Sequence, residues 1–202
     1  MNDTERPTWC DINLAALEHN YKAVQAHVGN SQVMPIVKAD AYGHGLIQVA
    51  QKLQDLNTSC LGVAYVEEGI ALRQGGITTP IHVLGGAVAR QIPLFLEHNL
   101  TFTAPSVDKL HQINEAAKTA NTTAKVHLKI DTGMERIGVH HYNADTLSKH
   151  HFNAHQSTWK GSSPTSHQLI ILTLPSRDYN SNGSLRHSSF THDIACPVLN
   201  AT

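Results

Sequence analysis

Residues Pro35–Gly45 read P-I-V-K-A-D-A-Y-G-H-G, and this stretch decides how the rest of the chain is interpreted. The apolar residues before Lys38 predict a buried strand, and Tyr42 and Gly43 predict a loop after it. Lysine is rarely buried without a partner, and loss of hydration lowers the pKa of a buried lysine amine. A neutral amine in that setting can attack a carbonyl group. The alternative is a lysine at a strand end whose ammonium group simply reaches water.

Helix-like and strand-like segments alternate at a steady interval over the first 150 residues. Asn13 is predicted to cap the first helix at its N-terminus, and Ser106 is predicted to cap a later one. After the strand that ends at Lys38, four more strands are predicted at 60–65, 81–84, 100–103 and 126–130. Strands separated by helices predict right-handed βα units and a parallel sheet. Open doubly wound sheets and closed barrels both satisfy this pattern.

Two segments resemble the alanine racemases. V-K-A-D-A-Y-G-H-G, at 37–45, is similar to the stretch through which that family attaches pyridoxal 5'-phosphate (PLP). H-L-K-I-D-T-G-M-E-R-I-G-V, at 127–139, is similar to the stretch that supplies a lysine and an arginine to the family's site. Shorter pieces agree with these two, including V-A-Y-V-E-E-G-I-A-L-R from Val63. The resemblance covers about residues 5 to 148.

The resemblance implies an α/β fold of the (β/α)8 TIM-barrel type and PLP-dependent interconversion of L-alanine and D-alanine, which supplies D-alanine for peptidoglycan. It makes Lys38 the catalytic residue that holds PLP as a Schiff base and moves the α-proton on one face of the substrate. Tyr42 would hydrogen-bond the cofactor phosphate, and Arg136 would lie near the cofactor and the substrate carboxylate. Lys129 matches a lysine that is often carbamylated and paired with that arginine. A rim-packed aromatic at Tyr42 and an ordinary surface ion pair at Lys129 or Arg136 are the alternatives.

The length of the matching region predicts an incomplete barrel. A complete barrel takes about 250 residues, so the first 150 supply about five of its eight βα units. We expect 1–149 to form a partial PLP-binding barrel and 150–202 to form a tail outside the family. The tail is rich in serine, histidine and asparagine, and we interpret it as an out-of-frame translation product. A genuine alternative ending and a flexible polar extension are the alternatives.

Because the matching region is predicted to end at residue 149, we expect low catalytic activity. The family takes its second catalytic base from a tyrosine in a C-terminal β domain of the partner subunit, and that domain is expected to be absent here. The family homodimer would bring the two halves of each site together. We therefore expect little or no racemase activity from this chain alone.

Composition narrows the other classes of function. A net charge of −1 and a charged fraction of 15% give no basic surface for nucleic acid. The N-terminal residues lack the apolar segment of a signal peptide, and no apolar run is long enough to cross a bilayer, which predicts a cytoplasmic protein with no membrane partner. His151 and His155 have neither a glutamate between them nor a third ligand, so no metal site is predicted there or at His140 and His141. A small-molecule partner, here alanine, is expected.

Two other functions remain open at this stage. One is a PLP-binding barrel of another activity, such as the PLP-homeostasis proteins or the amino-acid decarboxylases, whose lysine motifs differ from residues 37–45. Turnover of L-alanine against lysine or ornithine distinguishes these from a racemase. The other is a truncated product with no catalytic function of its own.

Overall fold

The computed structural model describes residues 10–131 and 133–144, so the predicted tail at 150–202 lies outside the described residues. The helices and strands, in chain order, are α1 (Leu14–His27), α2 (Lys38–Gly43), α3 (Leu46–Asp55), β1 (Leu61–Val63), α4 (Val66–Gln74), β2 (Ile81–Val83), α5 (Ile92–Glu97), β3 (Phe102–Ala104), α6 (Val107–Thr119), β4 (Val126–Leu128), β5 (Ile130–Asp131) and β6 (Val139–His140). Short 3-10 helices cover Ala89–Gln91 and His141–Asn143.

The predicted helix caps are confirmed. The side-chain oxygen of Asn13 accepts hydrogen bonds from the backbone N–H groups of Ala15 and Ala16, both at 3.0 Å, where α1 begins. At the start of α6 the hydroxyl of Ser106 accepts from the backbone N–H of Lys109 at 3.2 Å. The first turn of a helix leaves its N–H groups without backbone partners, and these side chains supply the missing acceptors.

Parallel pairing joins successive strands in the order of the chain. β1 pairs with β2, and β3 pairs with β4. Two isolated parallel bridges, Ile36 to Gly62 and His82 to Thr101, join the first extended segment to β1 and join β2 to β3. A doubly wound sheet reverses its strand order at a switch point, whereas a barrel keeps its strands in sequence. Over the described residues the order is therefore that of a barrel, as predicted.

The strands predicted at 60–65 and 81–84 are shorter than expected, at Leu61–Val63 and Ile81–Val83, and the other three differ further. The strand predicted to end at Lys38 is reduced to the bridge at Ile36, where Val37 donates to Gly62 and Gly62 donates to Pro35, both at 2.8 Å. The strand predicted at 100–103 is displaced to Phe102–Ala104, and the one predicted at 126–130 is interrupted at Lys129. An apolar run reports burial of side chains, but the ladder bonds that define a strand depend on partners elsewhere in the chain.

The core lies between the strands and the helices that cover them. The rings of Phe95 in α5 and Phe102 in β3 stack with their centroids 4.3 Å apart. Gly69 lets α4 approach closely, because a Cβ there would lie 2.9 Å from Leu100 and 3.6 Å from Ile81. The fully buried apolar side chains include Leu53, Leu61, Val63, Leu72, Ile81, Val83 and Ile113. Within the described part of the chain, no helix has the length and apolar character needed to cross a membrane.

Candidate active site

The candidate site residues follow the carboxyl ends of parallel strands. Lys38 comes two residues after the bridge at Ile36, and Lys129 directly follows β4. Arg136 lies in the loop between β5 and β6. Parallel strands present their carboxyl ends at one edge of a barrel, and the chemistry of such barrels is found at that edge. The described structure therefore places all three residues on the expected side of the fold.

The segment after Lys38 is one turn of left-handed helix, where the sequence predicts a loop. Ala39, Asp40, Ala41 and Tyr42 have φ values of 52°, 57°, 51° and 56° and ψ values of 54°, 43°, 46° and 36°. Left-handed helix costs about 1–2 kcal/mol per residue for residues other than glycine, so this turn costs on the order of 4–8 kcal/mol. A conformation so expensive must be held by other contacts.

Hydrogen bonds hold this left-handed turn at both ends. The N–H of Ala41 donates to the carbonyl of Val37 at 2.9 Å, and the N–H of Gly45 donates to the carbonyl of Asp40 at 3.0 Å. The carboxylate of Asp40 accepts from the N–H of Leu46 at 2.7 Å, which supplies an acceptor at the first turn of α3. The turn is thus continuous with the helix that follows it.

Lys38 and Tyr42 come together across the left-handed turn. The amine nitrogen of Lys38 lies 5.9 Å from the centroid of the Tyr42 ring. Lys38 is partly buried, whereas the Tyr42 side chain is 45% exposed. Tyr42 is therefore not a packed core aromatic. The contact with the amine is within the range of a weak cation–π interaction.

Lys129 and Arg136 form a second pair of candidate site residues, and both of their side chains are cationic. Burial lowers the pKa of the Lys129 amine, the Asp131 carboxylate raises it, and the positive charge of Arg136 lowers it. Arg136 itself is exposed. Among the hydrogen bonds and ion pairs of the described residues, none joins Lys38 and Tyr42 to Lys129 and Arg136. The structure therefore shows two pairs along one edge.

The loop that bears Arg136 is anchored by Asp131. Its carboxylate accepts from the N–H of Gly133 at 2.8 Å, and backbone N–H groups of Gly133 and Glu135 lower the pKa of Asp131. The loop closes at Gly138, where φ is +118° and a Cβ would lie 2.8 Å from the carbonyl oxygen of Lys129. Glycine is required there because another residue would meet both an unfavourable φ and a backbone contact.

Two histidines, the buried His82 in β2 and the partly buried His127 in β4, lie side by side. The rings of His82 and His127 have centroids 4.1 Å apart, and Nε2 of His82 is 2.8 Å from the hydroxyl of Thr103. That hydroxyl donates to the carbonyl of Val83 at 2.7 Å, so it accepts a hydrogen bond from the Nε2–H group of His82. Burial lowers the pKa of His82 well below its ordinary value and lowers the pKa of His127 to about 4. Both imidazoles are therefore neutral at pH 7.

These histidines face the inside of the barrel segment. Ile81, one residue before His82, faces Gly69 of α4, and successive side chains of a strand point to opposite faces. His82 and His127 each keep an Nδ1 atom with no hydrogen-bond partner among the described residues. Sequence reasoning missed this pair, although the alternation of His82 with two apolar neighbours is the signal that places it inward.

Glu68 is a second residue that sequence reasoning passed over. Its carboxylate lies three residues into α4 and accepts three backbone N–H groups, one of which belongs to Ala39 in the left-handed turn. The available signal was its position three residues after Tyr65, because a glutamate there commonly caps the start of a helix. The bond to Ala39 spans 29 residues and could not be read from the sequence.

Metal-binding groups are not assembled within the described part of the chain, where no cluster of three or more histidine, cysteine, aspartate or glutamate side chains is found. The exposed His140 and His141 instead contact the Tyr142 ring, with centroid distances of 5.1 Å and 5.3 Å. His151 and His155 lie outside the described residues.

Comparison with known proteins identifies similar chains. Residues 12–167 match the family "Alanine racemase, N-terminal domain". The alanine racemase of Halothermothrix orenii is 44% identical over 135 residues, which cover 66% of this chain and 36% of that protein. The chain thus spans about a third of the length of the curated relatives that it matches. The match ends beyond the boundary predicted at residue 149, and that boundary stays a prediction.

Solved structures show the same likeness. The alanine racemase of Clostridium difficile 630 in complex with cycloserine is 35% identical, with a TM-score of 0.70 over 76% of this chain and 42% of that one. The histidine racemase of Leuconostoc mesenteroides is 27% identical, with a TM-score of 0.66 over 73% of this chain and 39% of that one.

Proposed function

The chain belongs to the family of the alanine racemase N-terminal domain, and from this premise we propose that it binds PLP through Lys38 and contributes to the racemisation of alanine. The observation that best supports the proposal is the left-handed turn, which holds a partly buried lysine beside an exposed phenol at the carboxyl edge of a parallel barrel. Such a costly backbone conformation is typical of functional sites.

The side chains present suit PLP. Lys38 supplies the primary amine for covalent attachment, Tyr42 would hold the phosphate through its phenol, and Arg136 would bind the substrate carboxylate through its two-pronged guanidinium group. When bound, PLP supplies an electron sink that stabilises negative charge at the substrate α-carbon. Lys38 then acts as the base that removes or returns the α-proton on one face.

Lys129 is proposed to be carbamylated. Its lowered pKa increases the fraction of neutral amine, which is the form that reacts with carbon dioxide. Carbamylation replaces a positive charge with a negative one. The repulsion between Lys129 and Arg136 would become an attraction that fixes the guanidinium group in place.

The wider role is part of the same proposal. A cytoplasmic racemase would supply D-alanine for peptidoglycan, and in the homodimer expected for the family the C-terminal domain of the partner subunit would provide the second base. The described residues offer Lys38 for one face of the substrate, and no second base has been assigned among them. We therefore propose impaired racemisation by this polypeptide by itself.

Histidine is the second candidate substrate. The structural likeness to a histidine racemase, with a TM-score of 0.66 over 73% of this chain, supports it. A PLP-homeostasis role and amino-acid decarboxylation are weaker candidates, because the similar chains named above are racemases. Incubation with L-alanine, L-histidine, L-lysine and L-ornithine separates these functions by the product formed.

Deuterium exchange tests the proposed chemistry. The chain is loaded with PLP and incubated with each enantiomer of alanine in D2O, and deuterium at Cα and enantiomeric composition are followed together. We expect exchange on one enantiomer with racemisation slower by about 10²–10⁴-fold than with two positioned bases. Lys38→Arg keeps the charge but cannot form the covalent link, so it should abolish exchange. Exchange that survives in that variant would overturn the proposal.

A further inference from the structure

Glu68 joins the ends of the first two strand segments through one carboxylate. Its Oε2 atom accepts from the N–H of Ala64 at 2.8 Å and from the N–H of Tyr65 at 3.0 Å, both just after β1. Its Oε1 atom accepts from the N–H of Ala39 at 2.6 Å. Hydrogen bonds from backbone N–H groups to an ionised carboxylate are shorter and stronger than those between neutral groups.

The bond to Ala39 acts on the peptide group of Lys38. The N–H of Ala39 and the carbonyl of Lys38 belong to one rigid plane, so fixing that N–H also fixes the backbone from which the lysine side chain extends. Ala39 is the first of the four left-handed residues. Glu68 therefore holds the turn at its first residue, next to the amine-bearing side chain.

Helix α4 gives Glu68 a rigid base. At the far end of that helix the guanidinium group of Arg73 donates to the backbone carbonyls of Ile77, Thr79, His98 and Asn99, at 2.7–3.1 Å. Next to Glu68, Gly69 allows close contact with Leu100. A side chain on an anchored helix positions its partner more accurately than one on a free loop.

We propose that Glu68 is a positioning residue for Lys38, holding the left-handed turn so that the lysine amine is presented at the carboxyl edge of the barrel. The inference rests on the function proposed above, since it matters for attachment of PLP to that amine. A purely structural role is the competing account. In that case Glu68 would only cap α4, and its loss would lower stability without changing the reaction of Lys38.

Three variants of the full chain separate the two accounts. Glu68→Gln replaces one acceptor oxygen with a donor and removes the charge. Glu68→Asp keeps the charge but is one methylene shorter, so it can still cap α4 while failing to span to Ala39. Glu67→Gln is the matched control on the same helix, because Glu67 is exposed and, among the described residues, its carboxylate accepts only from the side chain of Gln91, at 3.1 Å.

Two readouts are needed in addition to thermal stability. The first is hydrogen exchange of the peptide that contains the Ala39 amide, measured without PLP. The second is the rate and selectivity with which PLP and borohydride label Lys38, mapped by mass spectrometry. A displacement of about 1 Å commonly slows a positioned reaction on the order of 100-fold, so we expect Lys38 labelling to fall about 10- to 100-fold in Glu68→Gln and Glu68→Asp.

The outcomes distinguish this inference from the proposed function. The inference predicts loss of Ala39 protection and of Lys38 labelling in both Glu68 variants, with Glu68→Asp close to the parent in melting temperature and Glu67→Gln unchanged. Variants that lower the melting temperature but label Lys38 as fast as the parent would show that Glu68 is only a helix cap. If the parent chain is not labelled at Lys38, the proposed function fails, while unchanged Ala39 exchange would overturn the inference separately.

Discussion

Acidification should destabilise the folded chain, because burial holds His82 and His127 neutral. Below its ordinary pKa of 6.5, each histidine binds a proton in the unfolded state but not in the folded one. The contribution of the two neutral histidines to the free energy of unfolding is therefore full above pH 6.5. It falls as the pH drops toward the pKa in the folded state, which is about 4 for His127. The sign is the opposite of that for a histidine paired with an anion.

The expected loss is large. A shift of the His127 pKa from 6.5 to about 4 costs about 1.8 kcal/mol of unfolding free energy between pH 7 and pH 5, and the lowered pKa of His82 adds a loss of the same sign. Domains of ordinary stability unfold with about 5–15 kcal/mol. Asp131 and Glu115, whose pKa values are lowered by hydrogen bonds, lose their contributions only below their ordinary values of 3.8 and 4.5. The window from pH 7 to pH 5 therefore reports the histidines.

Urea unfolding at half-unit steps of pH measures this loss. His127→Gln should halve the pH dependence whatever it does to stability at pH 7, and replacement of the exposed His19 by glutamine controls for removal of a histidine as such. Unfolding free energy that stays constant from pH 7 to pH 5 would refute the reasoning, because both imidazoles would then have to bind protons in the folded chain as readily as in the unfolded one.

Two further predictions concern the framework of the site. Gly138→Ala should lower the free energy of unfolding by about 2 kcal/mol or more, because the new Cβ would lie 2.8 Å from the carbonyl oxygen of Lys129. Gly133→Ala, at a similar φ, has no neighbour within 4 Å and should cost less. Equal losses measured by urea unfolding would rule out the contact as the cause. Arg73→Lys should lower the free energy of unfolding by about 2 kcal/mol, since lysine cannot reproduce the planar set of hydrogen bonds to four carbonyls. Arg90→Lys, at an exposed position, should leave stability unchanged. An unchanged stability in Arg73→Lys would show that α4 is anchored by packing alone.

Local signals in the sequence predicted the helices better than the strands. Asn13 and Ser106 have side chains that satisfy the first N–H groups of their helices, and both caps are confirmed. The strands were predicted from apolar runs, and their order in a parallel barrel is right, but their ends are not. Lys129 shows why, because the strand is interrupted there and the carbonyl of Lys129 accepts a hydrogen bond, at 3.1 Å, from the N–H of Val139. A partner ten residues further along the chain is not visible in a local apolar run.

The candidate site was predicted as a set of residues and not as a geometry. The motif around Lys38 indicated Lys38 and Tyr42, and the structure brings them within 5.9 Å of each other. Nothing local predicts four left-handed residues at Ala39 to Tyr42, since alanine, aspartate and tyrosine all favour other conformations. That turn depends on Glu68, which is close in the fold and distant in sequence. The roles of Lys38, Tyr42, Lys129 and Arg136 stay predictions.

Mapping of the PLP attachment site tests the central claim most directly. The full chain is incubated with PLP, reduced with borohydride, digested and analysed by mass spectrometry, with Lys38→Arg as the matched control. The account predicts one dominant pyridoxyl adduct, at Lys38, which disappears in that variant without a compensating adduct elsewhere. A dominant adduct at another lysine, or equal labelling of many lysines, would contradict the claim that the left-handed turn presents Lys38 as the attachment site.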